Sequence, residues 1–355
     1  MTVAPPSASL TERIDAVLTG FVDARVAAWP EPELSPMLDA LRHFVLNGGK
    51  RLRPAFCYWA WRGVTDGADG DEHVVAAGAA LELFHAFALI HDDIIDESTR
   101  RRGRPSLHEE FAGLHAGQRW VGDGRAFGRN GALLAGDLCA LWSEQVLTEC
   151  GAPPPRLGEA QRIFAMMRAE AVAGEYLDIV AQATGDFDEA AAIRVIQLKT
   201  ARYSVVRPLQ IGAALAGADR SQIQAYAAFG EPLGEAFQLR DDVLGVFGEP
   251  ERTGKSVLDD LRQAKPTVLL ALALARSTAA DRAQLRSLIG RPDLDDAGAG
   301  RVRQLMVGSG ALAATEERIH DGHRRALDAL AAMDIRDEAR EALGALADLA
   351  VARSG

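Results

Sequence analysis

Cysteine, aromatic residues and long apolar runs are all scarce in this 355-residue chain, and each scarcity removes a class of answer. The three cysteines, Cys57, Cys139 and Cys150, are an odd number without a C-x-x-C spacing. Neither a disulfide framework nor a zinc site follows from that pattern; buried thiols in a reducing cytoplasm are the expectation. The longest uninterrupted apolar run, Val268 to Ala275, is too short to span a bilayer. The opening MTVAPPSASL lacks a basic start followed by an apolar stretch, so no signal peptide is expected. Basic residues also fall short of acidic ones, 39 against 50, for a net charge of −11. That balance argues against a protein that coats nucleic acid. An anionic ligand would need bound metal ions or a local basic cluster to reverse the sign of its site.

What is present is alanine, leucine and a 48% hydrophobic composition with few β-branched runs, which favours helix over sheet. Breaks in the helical periodicity fall at 29–36, 65–72, 117–131, 151–158, 183–188, 247–256 and 290–300, each rich in Gly, Pro or Asp. None is long or biased enough to be an interdomain linker. The expectation is all-α: a flexible leader over 1–9, then one domain over 10–355, a bundle of roughly ten or more helices around a central hydrophobic cavity.

The chemistry concentrates at a few places. His91-Asp92-Asp93-Ile94-Ile95-Asp96 ends the apolar run LELFHAFALI. On a helix Asp92 and Asp96 share a face, and carboxylates gathered there repel unless a cation sits between them. Mg²⁺ commonly uses one or two carboxylates together with substrate phosphates. Arg100, Arg101, Arg102 and Arg104 follow at once, and guanidinium forks match phosphate oxygens. The pairing could equally be a surface neutralisation of little worth. A second acidic cluster, Phe237-Gln238-Leu239-Arg240-Asp241-Asp242, ends another apolar stretch; Thr253-Gly254-Lys255, Asp259-Asp260 and Lys265 come after it. Two such constellations suggest facing sites on two helices of one bundle. Asn47-Gly48-Gly49-Lys50-Arg51-Leu52-Arg53-Pro54 combines glycines that free the backbone with cations. Lys199-Thr200 lies in a helical stretch, and Asp293 to Asp296 looks like a cap in a turn.

This ordered set, from Gly48 to Lys265, resembles the trans-isoprenyl diphosphate synthases of the polyprenyl synthetase family. GGKRLRP, DDIID with its trailing RRG, KTA at 199–201, FQLRDD at 237–242, TGK at 253–255 and Lys265 carry the resemblance. It implies that Lys50, Arg53, His85 and Arg102 hold isopentenyl diphosphate. It implies that Asp92, Asp96 and Asp241 bind a trinuclear Mg²⁺ cluster gripping an allylic diphosphate, and that Asp93 belongs to the same catalytic motif. Arg101, Lys199, Lys255 and Lys265 would complete that pocket, with Thr200 and Gln238 near the reacting carbons. A homodimer and a cytoplasmic location go with it. The second motif departs from the family's DDxxD, since Gly245 stands at its fifth position; restoring the carboxylate by Gly245→Asp is expected to have a modest effect. Phe87 and Ala88, five and four residues before Asp92, resemble the floor of a pocket that stops at geranylgeranyl diphosphate, with farnesyl diphosphate second; Phe84 is a further floor candidate or an ordinary core aromatic. A class I terpene cyclase would not need the second basic pocket, and a non-catalytic subunit would be expected to lack aspartates, whereas Asp92, Asp93, Asp96, Asp241 and Asp242 all stand here.

Overall fold

The computed structural model describes residues 8–47, 49–67, 70–185, 187–248 and 258–352. Apart from one two-residue hairpin, the regular elements there are helices, more than ten of them. The all-α expectation holds. The described residues gather into two compact units, Met1–Gln161 with Ile211–Ala218, and Arg162–Gln210 with Asp219–Gly355.

The first unit contains α1 (Ala8–Ala28), α2 (Ser35–Leu46), α3 (Leu52–Val64), α4 (Glu72–Ile95), α5 (Leu107–Gly117) and α6 (Gly124–Thr148). Its axis is α4, apolar almost all round and buried through Val74 to Phe84 except at Ala76. An all-round apolar helix has no polar face to offer water and must be enclosed by its neighbours. It is the one described helix long and apolar enough to cross a membrane, and two thirds of that stretch is buried inside the protein. The neighbours come close where side chains are small. At Gly78 a Cβ would lie 3.1 Å from Cβ of Pro54 in α3.

The expected break at 117–131 is shorter than its glycines suggest, because α6 already begins at Gly124, capped by Asp123 Oδ1 accepting from the Arg125 amide at 2.9 Å. Gly128 and Gly131 are helical contacts, not breakers. A Cβ at Gly131 would lie 2.9 Å from the Phe111 ring, and one at Gly128 would strike the His108 carbonyl oxygen. Likewise the prolines at 153–155 introduce α7 (Pro154–Thr184), where a missing N–H costs nothing in the first turn.

The second unit is organised by α10 (Arg220–Phe247). A capping box between Asp219 and Gln222 starts this helix, and Pro232 lies within it. Leu239, Val243 and Val246 from its buried face join Val268, Leu269 and Leu272 in one apolar cluster. Truncating such a leucine to alanine costs roughly 2–5 kcal/mol. Asp295 caps the helix that begins at Asp296, accepting from the Gly298 amide at 2.8 Å, as its turn-like sequence suggested. The stretch around Lys199, expected to be ordinary helix, is instead α8 (Glu189–Val195) followed by a π-helical segment, Ile196–Val206, and α9 (Arg207–Ala216). The Arg207 amide donates to the Arg202 carbonyl five residues back. Pro208 supplies a cause: it has no N–H, and its ring would collide with the carbonyl of Ser204 in an α-register.

Candidate active site

Asp92 and Asp93 lie in the last turn of α4, and Asp96 is its C-cap. Carboxylates are least favoured at that end, where unpaired carbonyls form the negative pole of the helix. The next residues answer this locally. Arg100–Arg101 pairs with Arg104–Pro105 as an antiparallel hairpin, β1 and β2, turned by Arg102 at φ 52° and Gly103 at φ 77°. Positive φ at both central residues is what a type I′ turn requires, and glycine supplies it without strain.

The hairpin aims two arginines at different targets. Arg101 Nε donates to Asp93 Oδ1 at 2.9 Å, while Nη2 donates to the same oxygen at 2.5 Å and to Asp92 Oδ2 at 2.9 Å. Asp93 is 1% exposed and Arg101 9%, so the pair is buried. Burial opposes the guanidinium charge, but Asp93 and Asp92 outweigh it and raise the arginine's pKa. Asp93, expected among the catalytic carboxylates, is therefore placed to hold Arg101, whereas Asp92 is half-buried. Arg102 points to the loop before α3, where its Nη1 donates to the Asn47 carbonyl at 3.0 Å.

That loop carries the first basic motif, apart from Gly48, which lies outside the described residues. Gly49 at φ 105° and Arg51 at φ 48° both have left-handed backbones. A non-glycine residue there costs on the order of 1–2 kcal/mol and persists only when its surroundings hold it. Arg51 is held by a set of partners the sequence did not reveal: Nη1 donates to Glu82 Oε2 at 2.5 Å, Nη2 to the Val45 carbonyl at 3.2 Å, and Asp15 Oδ1 lies 2.8 Å from Nη2. Arg51 thus anchors the loop, while Lys50 stands exposed beside it.

The remaining cations converge on His85. Its imidazole is pushed well below the ordinary pKa by burial, then by Arg53, Arg102, Arg101 and Arg51. Arg102 is itself pushed down by burial and by Arg51, Arg101 and Arg53, with Glu82 pulling the other way. Cations crowded against their own repulsion, in a chain of net charge −11, mark a place for an anion. Phe84, the residue before His85, is buried, with its ring centroid 5.1 Å from that of Phe87, and Ala88 is half-buried.

The second unit presents its own set. Lys199 Nζ lies 2.9 Å from Glu175 Oε2 and 2.8 Å from Asp178 Oδ2, two acidic partners in α7 that sequence reasoning missed. Thr200 Oγ1 donates to Gln238 Oε1 at 2.7 Å, and Gln238 Nε2 donates to Asp242 Oδ1 at 2.8 Å. This relay fixes the Gln238 amide. Glycines on both flanking helices admit the wide π-helical backbone: at Gly174 in α7 a Cβ would lie 2.8 Å from the Lys199 Cα, and at Gly234 in α10 it would lie 2.5 Å from the Ala201 Cα. Asp241 is exposed and Asp242 is buried.

Burial pushes the Asp242 carboxyl up to about 8; Asp241 and Asp260 add to the rise, while the Gln238 hydrogen bond and Lys265 oppose it. The folded state thus keeps a proton that the unfolded chain releases near the ordinary value of 3.8. Whatever stability this burial allows is fully present below that value and is lost as pH rises through about 8. Asp242→Asn is therefore expected to melt higher than the parent above pH 8 in EDTA, with the gap closing toward pH 4. Melting curves across that range check this, and a gap that widens on acidification would refute it.

Gly245 is not simply a missing carboxylate, because a Cβ there would run into Asp260 Oδ2. Asp260 also lies 3.7 Å from Lys265 Nζ. Arg240, between the motif's glutamine and aspartates, grips Glu316 with two bonds of 2.7 Å and the Val351 carbonyl with a third at 3.2 Å. Lys255, with Thr253 and Gly254, lies outside the described residues.

As for a metal, no three His, Cys, Asp or Glu side chains among the described residues form a closed cage. The first unit offers carboxylate oxygens of Asp92 and Asp96 and the second offers that of Asp241, each a hard donor of the kind Mg²⁺ takes in sites completed by substrate phosphates and water.

Comparison with known proteins places these features in one lineage. The polyprenyl synthetase family model matches residues 35–306. A geranylfarnesyl diphosphate synthase of Aeropyrum pernix is 32% identical over 88% of this chain and 92% of its own length. An octaprenyl diphosphate synthase of Escherichia coli is 32% identical over 89% and 90% respectively. A crystal structure of the geranylgeranyl pyrophosphate synthase of Corynebacterium glutamicum, complexed with isoprenyl diphosphate and magnesium, superposes with a TM-score of 0.93 at 36% identity over 97% of this chain and 99% of that one. These relatives are named for different products, so they share a reaction class and not a product length.

Proposed function

The chain belongs to the polyprenyl synthetase family of prenyltransferases, and on that premise we propose that it condenses isopentenyl diphosphate with an allylic diphosphate to make geranylgeranyl diphosphate, with farnesyl diphosphate as the second choice. The observation that carries this reading is the hairpin after Asp96, which seats Arg101 against Asp92 and Asp93 and Arg102 against the Asn47 carbonyl of the first basic loop, while Arg53, Arg102 and Arg101 together disfavour a charge on His85. Lys50, Arg53, His85 and Arg102 hold isopentenyl diphosphate, and His85, kept neutral, donates a hydrogen bond without adding charge. Asp92, Asp96 and Asp241 hold Mg²⁺, which when bound neutralises the departing diphosphate. Arg101, Lys199, Lys255 and Lys265 add cations to the same anion. Asp93 keeps Arg101 in place, Glu175 and Asp178 keep Lys199 in place, and the Thr200–Gln238–Asp242 relay orients an amide toward the reacting carbons. Loss of diphosphate leaves an allylic cation, the isopentenyl double bond attacks it, and a proton leaves; no protein nucleophile is called for.

The test is incubation with labelled isopentenyl diphosphate and each of three allylic primers, with Mg²⁺ or EDTA, followed by sizing of the products. Elongation that depends on Mg²⁺ supports the reading, and absence of elongation from every primer overturns it. Product length is assigned to Phe87, because an aromatic ring at that depth stops the growing chain. Phe87→Ala is expected to lengthen the main product by at least one five-carbon unit. Unchanged products would remove Phe87 as the floor.

A cytoplasmic homodimer is part of the same proposal. Phe127, Leu134 and Leu141 lie at seven-residue intervals on α6, and Leu134 and Leu141 are 58% and 66% exposed. A helix stripe of that kind asks for a partner surface. The double variant Leu134→Asp, Leu141→Asp is expected to halve the mass measured by light scattering; an unchanged mass would place any dimer contact elsewhere.

A further inference from the structure

Phe87 does not hold its own position. Its ring centroid lies 4.5 Å from that of His91, one turn on, and 5.1 Å from that of Phe84. The three rings follow one face of α4 at spacings of three and four residues. His91 is in turn held from α6: Nε2 donates to the Leu133 carbonyl at 3.2 Å and lies 3.6 Å from Asp137 Oδ1. Gly136 makes the room. A Cβ there would lie 2.5 Å from His91 Nε2, closer still to Cδ2, and 3.5 Å from Ile90 Cγ2. The backbone at Gly136 does not have a positive φ, so no turn or left-handed conformation asks for glycine. It sits inside a helix, where glycine is among the poorest choices. The His91 ring is the neighbour that explains it.

We propose that His91, seated against Gly136, is a specificity-determining positioning residue that sets product length by keeping the Phe87 ring across the path of the growing prenyl chain. This rests on the elongation reading above. With the imidazole wedged against α6, Phe87 has no space behind it in that direction, and the floor is as rigid as the helix pair. Without the imidazole, the Phe87 ring can swing into the vacated volume and admit more hydrocarbon.

The experiment sizes products from His91→Ala, Gly136→Ala and the double variant, with wild type and Phe87→Ala run alongside, all with Mg²⁺ and the same primer. His91→Ala is expected to shift the main product upward by one or two five-carbon units, with KM for both substrates within about twofold of wild type. Gly136→Ala, which pushes the ring toward Phe87, is expected to shift it downward. The double variant should match His91→Ala, because the ring that the new methyl strikes is gone. Wild-type product length from His91→Ala, while Phe87→Ala lengthens products, overturns the proposal and leaves the elongation reading intact. Wild-type length from Phe87→Ala overturns the floor assignment and this proposal together. Should Gly136→Ala not fold, His91→Ala, which only removes atoms, decides alone.

Discussion

Asp241→Ala is expected to abolish turnover, by about three orders of magnitude or more, since the charge stabilisation a bound metal supplies is worth several kcal/mol. Asp241 is the exposed acid of its motif, and Asp242 is buried behind it. Only Asp241 can present its carboxylate to a metal without leaving the core, so its neighbour cannot take over. Stability should hardly change, because an exposed carboxylate loses little when removed. Single-turnover and steady-state rates, with a melting curve beside them, check this; near-normal turnover would end the assignment of the second metal wall. Gly245→Asp is the companion case: its expected effect on turnover is modest, and the structure adds an expected cost in stability. The new side chain would meet Asp260, adding crowding of roughly 1–3 kcal/mol and like-charge repulsion near the buried Asp242. A lowered melting temperature is expected, with partial relief when Asp260 is made Asn.

The second large effect belongs to Arg101. Arg101→Met should destabilise the protein by roughly 3–5 kcal/mol, the cost of leaving a buried charge without its partner. Asp93, 1% exposed, would keep its carboxylate in the core with no cation beside it. Arg101→Lys should not rescue, since Nε and Nη2 reach Asp93 together and Nη2 also reaches Asp92, a geometry that one ammonium cannot reproduce. The double variant Arg101→Met, Asp93→Leu should recover much of the stability, because a buried pair can be replaced by apolar groups at little cost. It should not recover turnover, as the cation proposed for the diphosphate is gone. Denaturant midpoints and rates measured on the same four proteins separate these outcomes. A stable but inactive Arg101→Met would contradict the structural half of the claim.

Much of this site was legible in the sequence because its motifs are local. DDIID and RRG are neighbours in the chain, and their apolar approach announced a helix ending at a polar rim. What sequence could not show depends on distance along the chain. Glu82 reads as one acid in an apolar helix, and its pairing with Arg51 across 31 positions leaves no local mark. The same holds for Glu316, which Arg240 grips across 76 positions. Glycines misled in one direction: those at 128 and 131 looked like helix breaks, yet they serve close approach of α5 and α6, a tertiary need that propensity cannot express. The π-helical segment was hidden because Pro208, its local cause, is also compatible with the start of a new helix.

The hairpin at 100–105 carries a last implication, for inheritance. Surface loops ordinarily drift in length among descendants. Here only two residues turn the chain, and in paired strands a slip of one position exchanges the two faces. One inserted codon would send Arg101 away from the acids it neutralises and Arg102 away from the Asn47 loop. Lineages of this protein should therefore tolerate changed letters in this stretch more readily than a changed count.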